Sequence, residues 1–322
     1  MIMHQVEMVS LDSLVPDNHI YREFTAIWSF AGVEKKLKKF EKDNAYKGFG
    51  MLRLFKCLLL QFMEDHSDRE MERFLQENNA GKWFCEFSLA EKTPDFSVFS
   101  KARKRIGTKA LSLIFSDLRD QLKAHGLINE VFNFVDASAL ISKSQLWKER
   151  DKAIKAKYEK LNNEVLPKVA HDKQARIGCK GKDKYWYGYK KHASVDMQSG
   201  LINKVAITPA NVTDAQGFKH VCPEQGAVYA DKAYCTKASR KTAAKKRCHL
   251  AAIKKNNMKG KNKDLDRWVT KIRSPYERVF SKQNKRVRYV GVEKNQFAAF
   301  MEAICFNLKR LVVLDAPSLS LT

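Results

Sequence analysis

Apolar residues recur at helical spacing along the first third of the chain and predict a helical domain there. The densest stripe runs from Met51 to Met63 and predicts a buried helix, because it is too short and too charged to span a membrane. Ser67 and Glu70 have the spacing of a capping box, which predicts the start of a second helix. Pro94 predicts the start of a third helix, since proline is favoured in the first turn.

The pattern changes after His125-Gly126, which predicts the end of a fourth helix over residues 111–122. Short apolar or alternating runs follow at residues 130–140, 185–195, 201–207, 227–230 and 248–253. The second and third runs flank a turn at residues 198–200 and predict a β-hairpin. Further stretches with helical spacing lie at residues 154–165, 276–287 and 297–311. This order predicts an α/β fold with a mixed sheet rather than a helical bundle.

The change of pattern divides the chain into two predicted domains. Residues 1–126 form a helical amino-terminal domain, and residues 127–322 form an α/β domain with carboxyl-terminal helices. The formal net charge is +24, and a charge of that size attracts a polyanion through counterion release. We therefore expect nucleic acid as the partner and expect the helical domain to bind DNA.

The seven cysteines argue against a zinc-based function. Their number is odd and no two have C-x-x-C spacing, so we expect free thiols in a reducing cytoplasm. The first ten residues lack the basic and apolar regions of a signal peptide. A cytoplasmic protein is therefore expected.

Three carboxylates are placed as phosphoryl-transfer chemistry requires. Asp136 follows the apolar run 132–135, where a charge is costly unless it is paired or binds metal. Asp231 ends the run 228–230, at the carboxyl end of a strand where α/β folds place their sites. Glu277 lies early in a predicted helix. Two Mg²⁺ ions held by such carboxylates can activate an attacking oxygen and stabilise a leaving oxygen, so we expect all three residues to be catalytic metal ligands.

Each carboxylate also has a simpler interpretation. An aspartate at a strand end is more often a turn or capping residue, and an early helical glutamate often only complements the helix dipole. Other acidic residues are expected to have structural roles. Asp196 is expected to close the hairpin turn and Asp214 to cap a helix, while Glu293 and Glu302 are expected to be solvated.

Basic residues cluster in places that suit DNA. Between Lys232 and Lys263 there are twelve lysines and arginines and no acidic residue, which favours a DNA-backbone track over a merely solvated face. Residues 180–191 interleave aromatics with lysines, and we favour half-buried strand positions over stacking on unpaired bases. His192 is expected to contact DNA, with a structural or catalytic role as the alternative. The expected DNA contacts are Lys101, Arg103, Lys104, Arg105, Lys190, His192, Lys245, Lys246, Arg247, Arg273, Lys285, Arg286 and Arg288.

Segments along nearly the whole chain resemble motifs of one known family. Four of them are Pro94 to Arg103, Val135-Asp136-Ala137, Ala230-Asp231-Lys232-Ala233-Tyr234 and Tyr276-Glu277-Arg278-Val279-Phe280. In order, they are similar to part of a helical amino-terminal domain, two aspartate motifs and a glutamate motif. The family is that of the bacterial insertion-sequence transposases of the DDE class, specifically insertion-sequence family five. Around Glu277 the match is incomplete: Arg273 is in place, but Thr270 stands for a tyrosine and Asn284 for a lysine.

The resemblance implies a ribonuclease-H-like mixed-sheet core with an all-helical amino-terminal domain. It implies a nucleoid-associated DNA transposase that binds terminal inverted repeats, cleaves at the element ends and joins 3′-hydroxyls to target DNA. The implied cofactor is a pair of Mg²⁺ ions, with Mn²⁺ as a substitute. The implied partners are double-stranded DNA and a second copy of the chain in a synaptic homodimer. Two alternatives stay open: a nuclease that only hydrolyses, and a DNA-binding protein that has lost catalysis.

Overall fold

The computed structural model describes residues 8–38, 48–143, 155–156, 163–180, 184–281, 285–315 and 319. The chain divides into two compact units, one of Met1–Gln121 with Ile304–Thr322 and one of Leu122–Ala303. The predicted domains 1–126 and 127–322 differ from these units mainly in the final helix, whose second half groups with the amino-terminal helices. All seven cysteines are free thiols. No described helix is both long and apolar enough to cross a membrane.

The first unit is built from helices in the part that the structure describes. They are α1 (Ile20–Ile27), α2 (Ala31–Lys38), α3 (Met51–Met63), α4 (Asp68–Glu77), α5 (Asn79–Phe84) and most of α6 (Phe96–Ala124). Nearly every residue of α3 is buried, as its apolar stripe predicts. The predicted capping box is confirmed at α4, where Ser67 and Glu70 each accept a hydrogen bond from the other's backbone N–H.

Helix α6 combines the third and fourth predicted helices, which meet at Gly107. This glycine has φ 66° and ψ 167°, a left-handed backbone that other residues rarely adopt. At the start of α6, Asp95 accepts a hydrogen bond from the Ser97 N–H at 2.8 Å. At its end, Gly126 has φ 68° and donates to the Lys123 carbonyl. The predicted stop at His125-Gly126 is thereby confirmed.

The second unit is a six-stranded mixed sheet with helices packed on it, so the predicted α/β class is confirmed. Its strands are β1 (Phe132–Ile141), β2 (Arg176–Lys180), β3 (Lys184–Asp196), β4 (Ile202–Pro209), β5 (Gly226–Ala230) and β6 (Cys248–Ala252). Its helices are α7 (Leu166–Val169), α8 (Asp214–Val221), α9 (Lys237–Lys245), α10 (Lys263–Ser281) and the first half of α11 (Val292–Val313). The strand order is β2-β3-β1-β5-β6, with β4 paired to β3. Strand β1 is antiparallel to β3 and parallel to β5.

The predicted hairpin is confirmed as β3 and β4, and Asp196 closes its turn. The Asp196 carboxylate accepts hydrogen bonds from the Gln198 and Ser199 N–H groups, each at 3.0 Å. Val287 was expected on a helix over residues 276–287, but it lies beyond the end of α10 and its N–H donates to the Ile141 carbonyl of β1. The predicted helical stretch 154–165 lies mostly outside the described residues.

Different helices pack on the two faces of the sheet. An apolar cluster under α8 and α9 is formed by Val135, Phe218, Val221, Cys222, Val228, Ala230, Tyr234, Ala243 and Cys248. On α10, Tyr276 contacts Phe134 of β1 and Trp268 contacts Tyr229 of β5. Side chains alternate along a strand, which is why Phe134 contacts α10 while its neighbour Val135 enters the cluster. The central strands are therefore anchored on both faces.

Candidate active site

The candidate site lies where β1 and β5 separate. Their parallel pairing ends at Phe134 opposite Tyr229, although β1 continues to Ile141. Two residues beyond that last pair stand Asp136 on β1 and Asp231 at the end of β5. The two predicted aspartates therefore lie near each other, with the Asp231 charge acting on the Asp136 carboxyl, at the end of the strands where α/β folds bind ligands.

Asp136 is partly buried and poorly compensated. Its carboxylate accepts a hydrogen bond from the Ala137 N–H at 2.8 Å. The pKa of Asp136 is raised to about 6, chiefly by burial; the Ala137 N–H and Arg273 oppose the rise, and the negative charges of Asp231 and Asp214 add to it. A nearby cation would stabilise the charged form of this carboxyl group.

Asp231 is both a strand-end aspartate and a capping residue. Its carboxylate accepts a hydrogen bond from the Ala233 N–H at 2.7 Å and caps the short 3₁₀ turn Lys232–Tyr234. Asp231 is therefore a capping residue, as the simpler interpretation of the sequence predicts. This role does not remove the carboxylate from the site, because one oxygen suffices for the cap.

Glu277 lies on α10, the helix that packs against β1 and β5. Its carboxylate is 3.5 Å from the Arg273 guanidinium, and its side chain is 57% exposed. Arg273 itself is buried, and its guanidinium lies 5.4 Å from the centre of the Phe134 ring. Arg273 therefore stands between Glu277 and the Asp136 side of the site.

The three predicted ligands are only partly assembled. Among the described residues, no group of three or more His, Cys, Asp or Glu side chains is placed to hold one metal ion. The structure brings Asp136 beside Asp231 but holds Glu277 on Arg273. The chemistry of the donors fits a hard divalent cation, since carboxylate oxygens suit Mg²⁺ and a cation would offset the repulsion between the aspartates.

Asp214 is a further carboxylate near the site that the sequence interpretation missed. We expected it to cap α8, but Thr213 is the cap, in a capping box with Gln216. Asp214 instead forms an ion pair with Lys190 at 2.8 Å, and its charge raises the pKa of Asp136. The T-x-x-Q spacing that starts at Thr213 is the signal that could have revealed the correct cap.

His192 does not fit the expected DNA contact. It is fully buried, and its Nε2 lies 2.9 Å from the Thr208 hydroxyl. Burial lowers its pKa to about 4, so the ring is neutral at pH 7. Gly217 of α8 packs directly on the ring, and DNA could reach it only if the helix left the sheet. The structural alternative is therefore favoured for His192.

Several other expected DNA contacts are engaged within the protein. Arg103 binds the Asp68 carboxylate with both terminal nitrogens, at 2.7 and 2.6 Å. Lys190 is paired with Asp214, Arg273 is buried, and Lys246 is paired with Glu224. Arg288 is half-buried. The exposed members are Lys101, Lys104, Arg105, Lys245, Arg247, Lys285 and Arg286.

Two further expectations can be compared with the structure. Glu302 was expected to be solvated, but it forms an ion pair with Lys191, whose side chain is only 2% exposed. Tyr187 and Tyr189 are buried on β3 and Trp186 is half-buried, as the strand interpretation predicts, while Tyr185 is exposed.

A basic groove borders α10 on the second unit. It has a volume of about 1050 Å³, and it is lined by Ile253, Lys261, Lys263, Asp266, Arg267, Thr270, Lys271, Ser274 and Pro275. Four of these residues are basic and one is acidic. The groove extends along the helix to within one turn of Glu277, so its basic residues lie next to the candidate site.

Comparison with known proteins identifies two domains. A DUF772 transposase domain matches residues 9–105, and a transposase DDE domain matches residues 151–308. The second match includes Asp231 and Glu277, whereas Asp136 lies outside both. No curated protein matches the chain.

Among solved structures, the chain is similar to a piggyBac transposase synaptic complex with hairpin DNA, determined by cryo-EM. The identity is 8%, the TM-score is 0.42, and the alignment covers 94% of this chain and 77% of that one. This score is too low to establish that the two chains share a fold. The chain therefore carries a DUF772 transposase domain followed by a transposase DDE domain.

Proposed function

We propose that the protein cleaves DNA at the ends of a mobile element and joins the 3′-hydroxyls to target DNA. The observation that carries this proposal is the position of Asp136 and Asp231, each two residues beyond the last β1–β5 pair, with the charge of Asp231 acting on the Asp136 carboxyl. We assign the second unit to the ribonuclease-H-like class, since its central strand carries the first aspartate and its parallel neighbour carries the second. Insertion-sequence family five is the proposed subgroup.

Asp136, Asp231 and Glu277 would hold divalent metal, with two Mg²⁺ ions as the proposed cofactor and Mn²⁺ as a substitute. When bound, the metal supplies an activated oxygen nucleophile and neutralises charge on the phosphate. To join such a site Glu277 would have to leave Arg273, and its side chain is 57% exposed. The Arg273 guanidinium, whose charge acts on Asp136, would offer a positive charge to the scissile phosphate.

The proposed DNA contacts follow the exposed basic residues. The groove along α10 would hold the phosphate backbone next to the catalytic carboxylates. The first unit would bind the terminal inverted repeats through the exposed face of α6 that carries Lys101, Lys104 and Arg105. A homodimer is proposed for the synaptic complex, because two element ends must be processed together.

The proposal is tested with DNA that ends in the element's inverted repeat. Asp136→Asn, Asp231→Asn and Glu277→Gln should each abolish Mg²⁺-dependent cleavage while leaving repeat binding within about twofold, since phosphate contacts rather than these carboxylates supply affinity. Asp264→Asn, on the same helix as Glu277 but 89% exposed, is the matched control and should keep activity. Loss of binding in all three variants would contradict the assignment.

The same assay separates cleavage from joining. Supplying pre-cleaved ends with a free 3′-hydroxyl and a supercoiled target should yield joined products if the protein is a transposase. Hydrolysis of the DNA with no joining would instead identify a nuclease that shares the same carboxylates.

A further inference from the structure

Helix α9 carries a row of exposed cations on one side. Lys237, Lys241 and Lys245 are spaced four residues apart, so they lie one above the other along the helix. Arg240, three residues after Lys237, is exposed on the same side. Ala243 lies on the opposite side and is buried against the sheet. The four cations together are called the α9 basic face.

The α9 basic face has no acidic partner among the described residues, whereas the neighbouring Lys204 and Lys246 both pair with Glu224. The first turn of α9 also contains no acidic residue. Like charges four residues apart destabilise a helix, and so does a cation in the first turn, where Lys237 lies. The stability of α9 therefore does not explain this row of charges, which a bound polyanion would neutralise.

The α9 basic face begins near the candidate site, on the opposite side of the sheet from α10. Helix α9 connects β5 to its parallel neighbour β6, so it starts at the strand end that carries Asp231. Ala243 of α9 packs in the apolar cluster with Val135, whereas α10 contacts Phe134, whose side chain points to the other face. Two separate basic surfaces, the α9 basic face and the groove along α10, therefore lie on opposite sides of the sheet that carries the aspartates.

The two surfaces differ in what they can recognise. The groove along α10 is concave and combines cations with the hydroxyls of Thr270 and Ser274 and the apolar side chain of Ile253. The α9 basic face is the outer side of a helix and carries no side-chain hydroxyl, amide or aromatic ring. From Lys237 to Lys245 it spans about 12 Å, roughly three to four base-pair rises of a duplex. It therefore suits the phosphate backbone of DNA whatever the base sequence.

We propose that the α9 basic face binds the target duplex, an inference that rests on the function proposed above. Joining brings two DNA segments to one set of carboxylates, the element end and the target. The groove beside Glu277 holds the element end, whose sequence is constant. The α9 basic face holds the target, whose sequence changes from one insertion to the next, and contacts to phosphates alone tolerate that change.

The test measures joining of pre-cleaved element ends as the target DNA is titrated, and cleavage of uncut ends in parallel. The α9 variant is Lys237→Gln with Lys241→Gln. The matched control is Lys173→Gln with Lys294→Gln, which removes two exposed lysines elsewhere in the second unit. At about 150 mM salt the α9 variant should need about tenfold more target for half-maximal joining and should cleave within about twofold of the wild type. The control should change neither quantity by more than about twofold.

Two further readouts show that target binding is what the α9 variant loses. Lower salt or more target DNA should restore its joining, because lost phosphate contacts weaken binding and leave the chemistry intact. Its Tm should be no lower than that of the wild type, because a like-charge pair is removed.

The outcomes separate this inference from the proposed function. Equal losses of cleavage and joining would show that α9 holds the element end, and joining at the wild-type target concentration would show that α9 holds neither DNA. Either result would overturn the target surface and keep the proposed function, since the wild-type protein joins in both. A wild-type protein that cleaves DNA but joins no end would overturn the proposed function and the target surface together.

Discussion

Arg273 holds Glu277 at 3.5 Å across one turn of α10, while its own guanidinium lies over the Phe134 ring and lowers the pKa of Asp136. Arg273 thus interacts with both Glu277 and Asp136, two carboxylates that the proposed chemistry requires as ligands of the same metal site. Because Glu277 is exposed and Arg273 is buried, the glutamate is the partner that can move. Only a weak interaction therefore holds Glu277 on Arg273, as expected for a half-exposed ion pair.

Replacing Arg273 should change how pH affects metal binding. Without the guanidinium, the pKa of Asp136 rises above its present value of about 6, and protons compete with metal at higher pH. In Arg273→Ala, the pH below which Mn²⁺ no longer raises the Tm should increase, and in Arg273→Lys it should increase less. Measuring the Mn²⁺-induced change in Tm at several pH values between 5 and 8 checks this. Identical pH profiles for the wild type and the variants would contradict it.

The metal-free protein should be stabilised when Asp136 is neutral. The folded-state pKa of about 6 lies above the usual value for aspartate, so the folded protein binds the proton more tightly than the unfolded chain. Stability therefore rises as pH falls from about 7 to 4 and lacks this contribution at neutral pH. Asp136→Asn should raise the free energy of unfolding at pH 7 by about 1–3 kcal/mol in the presence of EDTA.

Chemical denaturation at pH 7 and pH 4.5 measures this change. The gain should be largest at pH 7 and should shrink toward pH 4.5, where the wild-type carboxyl is already protonated. The exposed Asp264→Asn is the control and should change stability by less than about 0.5 kcal/mol. Equal gains at both pH values would show that charge on Asp136 is not the cause.

Because Gly217 packs closely on His192, adding even a methyl group at position 217 should destabilise the protein. A Cβ at Gly217 would lie 2.2 Å from His192 Cε1. Gly217→Ala should destabilise the protein by roughly 1–3 kcal/mol, because overpacking forces the helix from the sheet. His192→Ala in the same chain should recover part of that loss, a coupling that denaturation of both single variants and the double variant would detect. Additive losses would count against the proposed contact.

The groove along α10 should contribute to DNA affinity in a salt-dependent way. Lys263→Gln and Lys271→Gln should each weaken DNA binding and lower the slope of log affinity against log salt by about one. Lys294→Gln, exposed on α11 outside the groove, is the control and should leave the slope unchanged. Fluorescence anisotropy from 50 to 300 mM salt measures both quantities. Equal effects of all three would indicate nonspecific charge rather than a groove.

Local patterns predicted much of the fold. The apolar stripe of α3, the Ser67 capping box, the stop at Gly126 and the β3–β4 hairpin depend on neighbours within a few residues, and the structure confirms them. Strand β2 was not predicted, because its five residues carry no clear alternation and it is stabilised by pairing with β3.

Ion pairs between residues far apart in the chain were not predicted from the sequence. Arg103, Lys190 and Lys246, which we expected to contact DNA, are each paired with an acidic residue of the protein. The partners of Arg103 and Lys190 are 35 and 24 residues away. Since a partner so distant in the chain leaves no local trace, only the folded structure reveals the ion pair.

The sequence by itself determined the transposase class, the α/β order and the candidate carboxylates, because motifs and side-chain periodicity are local properties. Only the tertiary structure decided that Asp136 and Asp231 lie near each other, that Arg273 holds Glu277, and that His192 is buried under Gly217. Strand register and helix packing set these distances, and both depend on contacts between residues far apart in the chain.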